Sequence, residues 1–467
     1  MEDIAKFCID FLEKNNCEYA EVRIEERDSN GFILKNGIPE LSGFDFIKGM
    51  GVRFLLNKTL GFVSLNDFSK ENIKENLKRA IKITKNSSKF NNNVSLSNEN
   101  SCFKNYKVMQ KIKLNDITAE EKLKLLKNAY ENIKGKNLFG AFFSLSDEVC
   151  KKIYVNNQGS KIVSEIPRVN FVYYITVKNG NETSQRYWQY GATGGWEKVK
   201  EWNLANLVSN EVKALLNNLR NGVRLGKEKF DFVVGPEVTG IMVHESCGHP
   251  CEADRILGRE SAQAGESFIN KNMINEKIGS DVVNIVDEPG IEGSYGYFLY
   301  DDEGVEARRK YLYKNGKIND FLHNRETAKD MNVKSNGSAR ASNYDKEAIV
   351  RMSNTFLLKG NYNENELIKD VKRGIYMKNF MEWNIDDKRW QQKYTGSECY
   401  LIENGEVTKP VKNPVIEITT PMLWKSVDAV ADNFELHAGT CGKGESMQAI
   451  PVTFGGPSMR LRRIRLN

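Results

Sequence analysis

No stretch of this 467-residue sequence reaches the ~18 uninterrupted apolar residues that a membrane-spanning helix needs, so no membrane association is expected. Charge of one sign is not in excess either. The 68 basic and 62 acidic residues leave a net charge of +6, too small and too mixed to indicate a nucleic-acid partner. The eight cysteines lack the spacing of a small disulfide framework, which favours a reducing, cytoplasmic setting. No repeat of roughly twenty to fifty residues recurs, which excludes a solenoid or propeller. The segment from Glu2 to Lys14 carries Ile4, Phe7, Phe11 and Leu12 among acids and lysines, and reads as an amphipathic helix rather than a secretion signal. Histidine is scarce: there are four, and two of them fall in one short stretch.

What is present is the composition of an ordinary globular protein, 40% apolar and 28% charged, long enough for two or three domains. The expected fold class is α+β, with N-terminal helix and antiparallel-sheet domains followed by a β-rich C-terminal domain carrying one distorted metal-binding helix. Residues 1–100 read as helix, meander, helix. Short strands are expected at Glu18 to Glu26, Phe32 to Leu34, Val52 to Leu56 and Leu60 to Leu65, with turns at Asn30-Gly31 and Asn36-Gly37, and Ser69 caps a helix to about Lys85. An Asn- and Ser-rich run over 86–101 reads as a linker. Residues 101–225 open a helix with the capping box Thr118-Ala119-Glu120-Glu121, continue in strands, and close with a helix from Glu197 to about Leu219. Residues 226–467 are β-rich. Strands are expected at Val282 to Val286, Tyr297 to Tyr300, Arg309 to Tyr313 and Val350 to Met352, with a hairpin turning at Asn404-Gly405. The basic, alternating tail Arg460 to Arg465 reads as a solvated edge strand.

The chemistry concentrates in Ile241-Met242-Val243-His244-Glu245-Ser246-Cys247-Gly248-His249-Pro250-Cys251-Glu252-Ala253-Asp254. Two imidazoles flanking a carboxylate are similar to the zinc-protease arrangement, in which histidines hold the metal and a glutamate activates water. The usual spacing puts the histidines four apart, whereas His244 and His249 are five apart. On a regular α-helix that is about 140° of rotation, too much for one ion to bridge easily. A π-type turn restores a common face. Gly248 supplies flexibility and Pro250 lacks an N–H for the Ser246 carbonyl, so a distorted turn is predicted at Ser246 to His249. On a regular helix, His244, Cys247 and Cys251 would instead line one face and suit a closed structural zinc site; a plain core role is the third reading. A catalytic zinc needs a third protein ligand from elsewhere. Cys441, in the Gly439 to Gly444 loop, stands out, although a lone cysteine is more often a small buried hydrophobe.

The chain resembles the TldD branch of the TldD/PmbA metalloproteases over essentially its whole length. The resemblance rests on three motifs: His244-Glu245-x-x-x-His249 with Glu252 and Asp254; Tyr400-Leu401-Ile402-Glu403-Asn404-Gly405 with Thr408 to Lys412; and the Gly439 to Lys443 loop with its cysteine. It extends to Asp301 to Gly304, Ser338 to Tyr344 and Arg373 to Tyr376. It implies a cytoplasmic zinc peptidase in which His244, His249 and Cys441 hold Zn2+ and Glu245 is the general base. Glu252 and Asp254 then become candidates to hydrogen-bond the ligand imidazoles, against the alternative of a solvated acidic face. The same resemblance implies assembly with a PmbA-like (TldE) paralogue, or self-association as a homodimer, around unfolded peptide substrates, leader segments of modified peptides included. Two other readings stay open: a non-catalytic binding subunit with a structural zinc, and a metal-free PmbA-like scaffold. Cys247 and Cys251 depart from the family pattern as extra thiols. His323 and His437 match no family position and are taken as structural or surface residues, with oxyanion stabilisation as the alternative.

Overall fold

The computed structural model describes residues 1–90, 93–135, 137–260 and 266–466, the side chain of residue 42 excepted. The chain opens with helix α1 (Glu2–Lys14), which buries Ala5, Cys8, Ile9 and Leu12. One seven-stranded sheet then dominates the first half. Its strands are β1 (Tyr19–Lys35), β2 (Ile38–Leu56), β3 (Thr59–Leu65), β4 (Phe103–Lys107), β5 (Leu138–Asn156), β6 (Lys161–Asn179) and β7 (Glu182–Thr193), in the order β3-β2-β1-β5-β6. Both β4 and β7 add to the far edge of β6, at different points along it.

These strands are much longer than expected. Asn30-Gly31, expected as a turn, lies inside β1, where Asn30 stands opposite Phe44 on one side and Asp147 on the other. Its amide donates to the Asp147 carboxylate at 3.0 Å. Polar residues in mid-strand imitated a loop; laddering on both sides keeps the backbone extended through them. Asn36 and Gly37 do turn the chain, with φ of +49° and +84°. The sheet therefore serves two cores. One end of β1 packs Val22 and Ile24 against α1 and α2 (Lys70–Ser87), and the other packs Phe32 and Leu34 toward α3 (Ala119–Glu131).

The capping box at Thr118 forms reciprocally, with the Glu121 carboxylate and the Thr118 hydroxyl each accepting from the other's N–H at 2.9 and 3.2 Å. The long helix expected from Glu197 is instead two, α4 (Glu197–Trp202) and α5 (Leu204–Asn221). Asn203 breaks it in the left-handed region at φ +48°, which asparagine tolerates better than most side chains. The Asn/Ser-rich run is partly helical: α2 reaches Ser87 and a 3₁₀ turn follows at Ser88–Phe90, while Asn91 and Asn92 lie outside the described residues.

The C-terminal half is β-rich, with two six-stranded sheets, a three-stranded sheet and a two-stranded pair among the described residues. The strand expected at Val282 to Val286 is the shorter Ile285–Asp287, that at Val350 to Met352 is Ile349–Val350, and Tyr297 to Tyr300 makes only an isolated bridge from Tyr300 to Glu306. The tail is not an edge strand. Met459–Arg465 sits between β8 (Lys229–Val234) and Val427–Val430, and two of its four arginines are paired with acids: Arg460 and Arg462 with Asp428 and Asp370, and Arg462 also with Asp231. Paired arginines gave this inner strand the charge of a surface.

After β8 comes α6 (Pro236–Val243), every residue of which is buried. Pro236 suits the first helical turn, and burial all round marks a helix enclosed by the fold, with its one acid, Glu237, paired to Arg186. Gly240 permits the closest approach: a Cβ there would meet Phe454 and the Gly455 backbone of the strand Gln448–Gly456. That contact brings the end of α6 beneath the antiparallel pair Glu435–Lys443 and Gln448–Gly456.

Candidate metal centre

The α6 helix widens where its α-helical bonding fails. Residues His244–Gly248 form a π-turn, closed by the His249 N–H donating to the His244 carbonyl five residues back. The Ser246 carbonyl, deprived of a donor by Pro250, instead accepts from the Trp424 indole at 3.0 Å and the Tyr313 hydroxyl at 3.4 Å. Gly248 acts through its size: its φ is a helical −58°, and a Cβ would run into the Met352 sulfur.

The widened turn brings the two imidazoles together, with ring centroids 4.8 Å apart. Cys441 arrives from 192 residues away, its Sγ 3.5 Å from His249 Nε2. It is carried not by a loop but by the strand Glu435–Lys443, paired opposite Ile450. One potential ligand atom from each of His244, His249 and Cys441 lies within 4.8 Å of the others, and all three residues are buried. A tetrahedral zinc with bonds of about 2.1 Å to nitrogen and 2.3 Å to sulfur would hold its N and S donors ~3.6 Å apart. The donor set and its spacing fit zinc, with one position left for water or substrate.

The electrostatics suit a cation. Burial opposes ionisation of the Cys441 thiol, but His249, Arg351 and His244 outweigh it and hold the thiol well below its usual range. His244 keeps its proton above the usual range: burial opposes this, and Cys441, Glu245 and Glu252 prevail. Ligands bind zinc in their deprotonated forms, so zinc binding here would compete with protons on the thiol and the imidazoles.

Around the ligands, Glu252 Oε2 bonds His249 Nδ1 at 2.9 Å, fixing the ring so that Nε2 faces Cys441. Glu252 also holds Arg255 Nε at 2.7 Å and lies 3.3 Å from Lys443 Nζ. Although burial opposes it, Lys443, His249 and Arg255 keep the Glu252 carboxyl well below its ordinary range. Asp254 touches neither imidazole. Its two oxygens accept from Lys443 Nζ at 2.7 and 2.8 Å, bracing the strand two residues beyond Cys441.

Glu245 lies beside a cavity of about 230 Å³ that all three donor residues also line. Trp188, Phe380, Trp383 and Phe454 supply its apolar wall. The Glu245 carboxylate is held on both oxygens: Oε1 accepts from Trp383 Nε1 at 3.1 Å and Oε2 from Arg389 Nη1 at 2.8 Å. Trp383 and Arg389 carried no functional signal in the sequence. Both belong to the hairpin of Phe380–Ile385 and Gln391–Gly396, which nothing local ties to the motif.

Cys247 and Cys251 belong to the apolar core, and burial raises the Cys247 thiol well above its usual range. Neither joins a group of potential metal ligands among the described residues, because the π-turn removes the single face that they would have shared with His244. His323 is buried, its Nδ1 3.2 Å from the Thr327 hydroxyl. His437 packs edge-on against Trp188, and neither histidine lines the cavity.

Three family profiles match the chain: the PmbA/TldA metallopeptidase domain 1 at 20–84, the central domain at 112–217 and the C-terminal domain at 227–467. A metalloprotease of Methanocaldococcus jannaschii is 35% identical over 449 residues, 95% of this chain and 96% of that protein. A zinc metalloprotease TldD homolog of Saccharolobus solfataricus is 23% identical over 458 residues, 97% of each chain. The crystal structure of TldE from Thermococcus kodakarensis superimposes with a TM-score of 0.75 at 18% identity, covering 100% of this chain and 99% of that one. The chain belongs to the PmbA/TldD metallopeptidase family. No helix among its described residues is long and apolar enough to cross a membrane.

Proposed function

We propose that this chain is a cytoplasmic zinc-dependent peptidase that cleaves unfolded or extended peptides, leader segments of modified peptides among them. The observation that carries this reading is the convergence of His244, His249 and Cys441 on one point beside Glu245, at an open cavity. His244, His249 and Cys441 would hold the ion. Zinc bound there supplies a Lewis acid that acidifies water and polarises a peptide carbonyl. Glu245 takes the proton from the attacking water and passes it to the leaving amine. Arg389 and Trp383 aim its carboxylate, and Glu252 fixes the His249 tautomer.

The strand carrying Cys441 ends its sheet, and the cavity lies between it and β7. An extended peptide laid along this edge gains main-chain hydrogen bonds with little demand on sequence, as suits an unfolded substrate. The TldE likeness supports a TldE-like paralogue or a second copy as partner, and we retain 1–100, 101–225 and 226–467 as the working domain division.

The test is Glu245→Gln in the full chain. Zinc content and melting temperature should match the parent while peptide cleavage falls by roughly a thousandfold or more, the scale of losing a general base together with its positioning. Undiminished cleavage by a zinc-loaded, folded variant removes Glu245 from the mechanism.

A further inference from the structure

Two buried guanidinium groups, one within and one just beyond the short pair of strands Ala339–Arg340 and Ile349–Val350, have their charges balanced differently. Arg351, 1% exposed, donates to the Cys441 and Gln448 carbonyls and helps hold the Cys441 thiol below its usual range. Arg340, 6% exposed, has no comparable anion. Its Nη1 donates to the Met352 carbonyl and its Nη2 to the Pro451 carbonyl, each at 2.7 Å, and its plane stacks 5.0 Å from the Phe298 ring centroid. No carboxylate lies within 4.0 Å of it among the described residues. Burial, then Arg168 and Arg351, push it down to about 9, the direction expected of a cation left without a counter-charge. A buried charge is ordinarily paired.

Arg340 lines a cavity of about 210 Å³ between β5 and β6 on one side and the strand Gln448–Gly456 on the other. The acids around it are already engaged. Asp302 holds Lys152 at 2.9 Å and accepts from the Ala341 N–H at 2.8 Å. Glu148 lies between Arg27 at 3.7 Å and Arg168 at 3.5 Å. Asp301 accepts from the N–H groups of Glu303, Val305 and Ala339. Of the four cations lining the cavity, Arg27, Lys152 and Arg168 each have a carboxylate within 4.0 Å, whereas Arg340 has none among the described residues.

This cavity adjoins the metal centre. Thr440 lines both, and it stands opposite Pro451, the residue whose carbonyl Arg340 holds. A group bound at Arg340 therefore sits alongside the strand that carries Cys441, next to the residue preceding the thiol.

We propose that Arg340 recognises a substrate carboxylate in this second cavity, placing a negatively charged group of the peptide a short way along the chain from the bond at the metal centre. The assignment rests on the peptidase reading of that centre. The N–H groups of Arg340 not given to carbonyls supply a fork for two oxygens, and pairing inside a cavity relieves the cost of its burial. The carboxylate is either the free C-terminus of a short peptide or an Asp or Glu side chain.

The experiment uses the zinc-loaded full chain with Glu245→Gln, so that peptides bind without turnover, and three forms of one short apolar peptide. These are the free acid, the C-terminal amide, and the amide with a glutamate as its last residue. Titration calorimetry should show the free acid, the glutamate amide, or both binding at least tenfold tighter than the plain amide, the pattern naming the source of the carboxylate. Adding Arg340→Gln should erase the difference and leave the plain amide unchanged, while Arg340→Lys should retain part of it. Zinc content and melting temperature check each variant for folding. Equal affinity for all three peptides, or a preference that survives Arg340→Gln, overturns the carboxylate site even if the parent enzyme cleaves all three. A parent that shows the Arg340-dependent preference yet cleaves none keeps the site and sinks the peptidase reading instead.

Discussion

Arg389 reaches Glu245 across 144 residues of sequence, its Nη1 2.8 Å from Oε2, while Trp383 holds the other oxygen. A carboxylate gripped at both oxygens points in one direction. Arg389 itself sits at φ +63° in the turn of its hairpin, placed by the sheet and not by the motif.

Arg389→Ala should therefore lower kcat by about 10- to 100-fold with little change in KM, since it loosens the base without removing it. Steady-state kinetics at matched zinc content decide this. A kcat that stays the same or rises would mean that Arg389 restrains Glu245 instead of aiming it.

Glu252→Gln replaces the anion that fixes His249 with a neutral amide beside Lys443 and Arg255. Zinc affinity should fall by roughly 10- to 100-fold, the usual effect of removing the partner of a ligand histidine. Competition against a chromophoric chelator reads it directly. Parent-like affinity would show that packing alone orients the ring.

Gly248→Ala pushes a Cβ into the Met352 sulfur at the end of the π-turn. Overpacking of this kind costs about 1–3 kcal/mol. Urea unfolding should show that loss, and pairing with Met352→Ala should recover part of it. No recovery would place the strain in the backbone and not in the contact.

Asp302 supplies a pH dependence. Burial opposes its ionisation, but Lys152, Arg23 and the Ala341 N–H outweigh burial and bring it to about 2, from 3.8. A depressed carboxyl stabilises above the unfolded value and loses that contribution as pH falls through the folded value. The gain, about 2 kcal/mol, should be complete near neutral pH and should fade from about pH 4 toward 2. Asp302→Asn should accordingly destabilise at pH 7, and the difference from the parent should shrink below about pH 4 and be mostly gone by about pH 2. A stability difference constant over that range would exclude ionisation as its cause.

Much of the centre was legible in the sequence because its determinants are local. His244, Glu245 and His249 lie within six consecutive residues, and the missing N–H of Pro250 is a property of one residue that any fold must accommodate. The capping box at Thr118 and the turn at Asn36-Gly37 were readable for the same reason. Asn30-Gly31 misled because loop-like composition does not disclose a neighbour strand on either side, and the tail misled because charge does not disclose its partner. Only tertiary structure decided that Gly248 yields to Met352, that Asp254 braces Lys443 instead of an imidazole, and that Trp383, Arg389 and Cys441 meet the motif. The sequence by itself determined which side chains the centre contains in the motif and that its helix must widen. The rest was set by strand register, since hydrogen-bonded ladders fix which distant residues face one another, and no local pattern encodes a pairing 192 residues long.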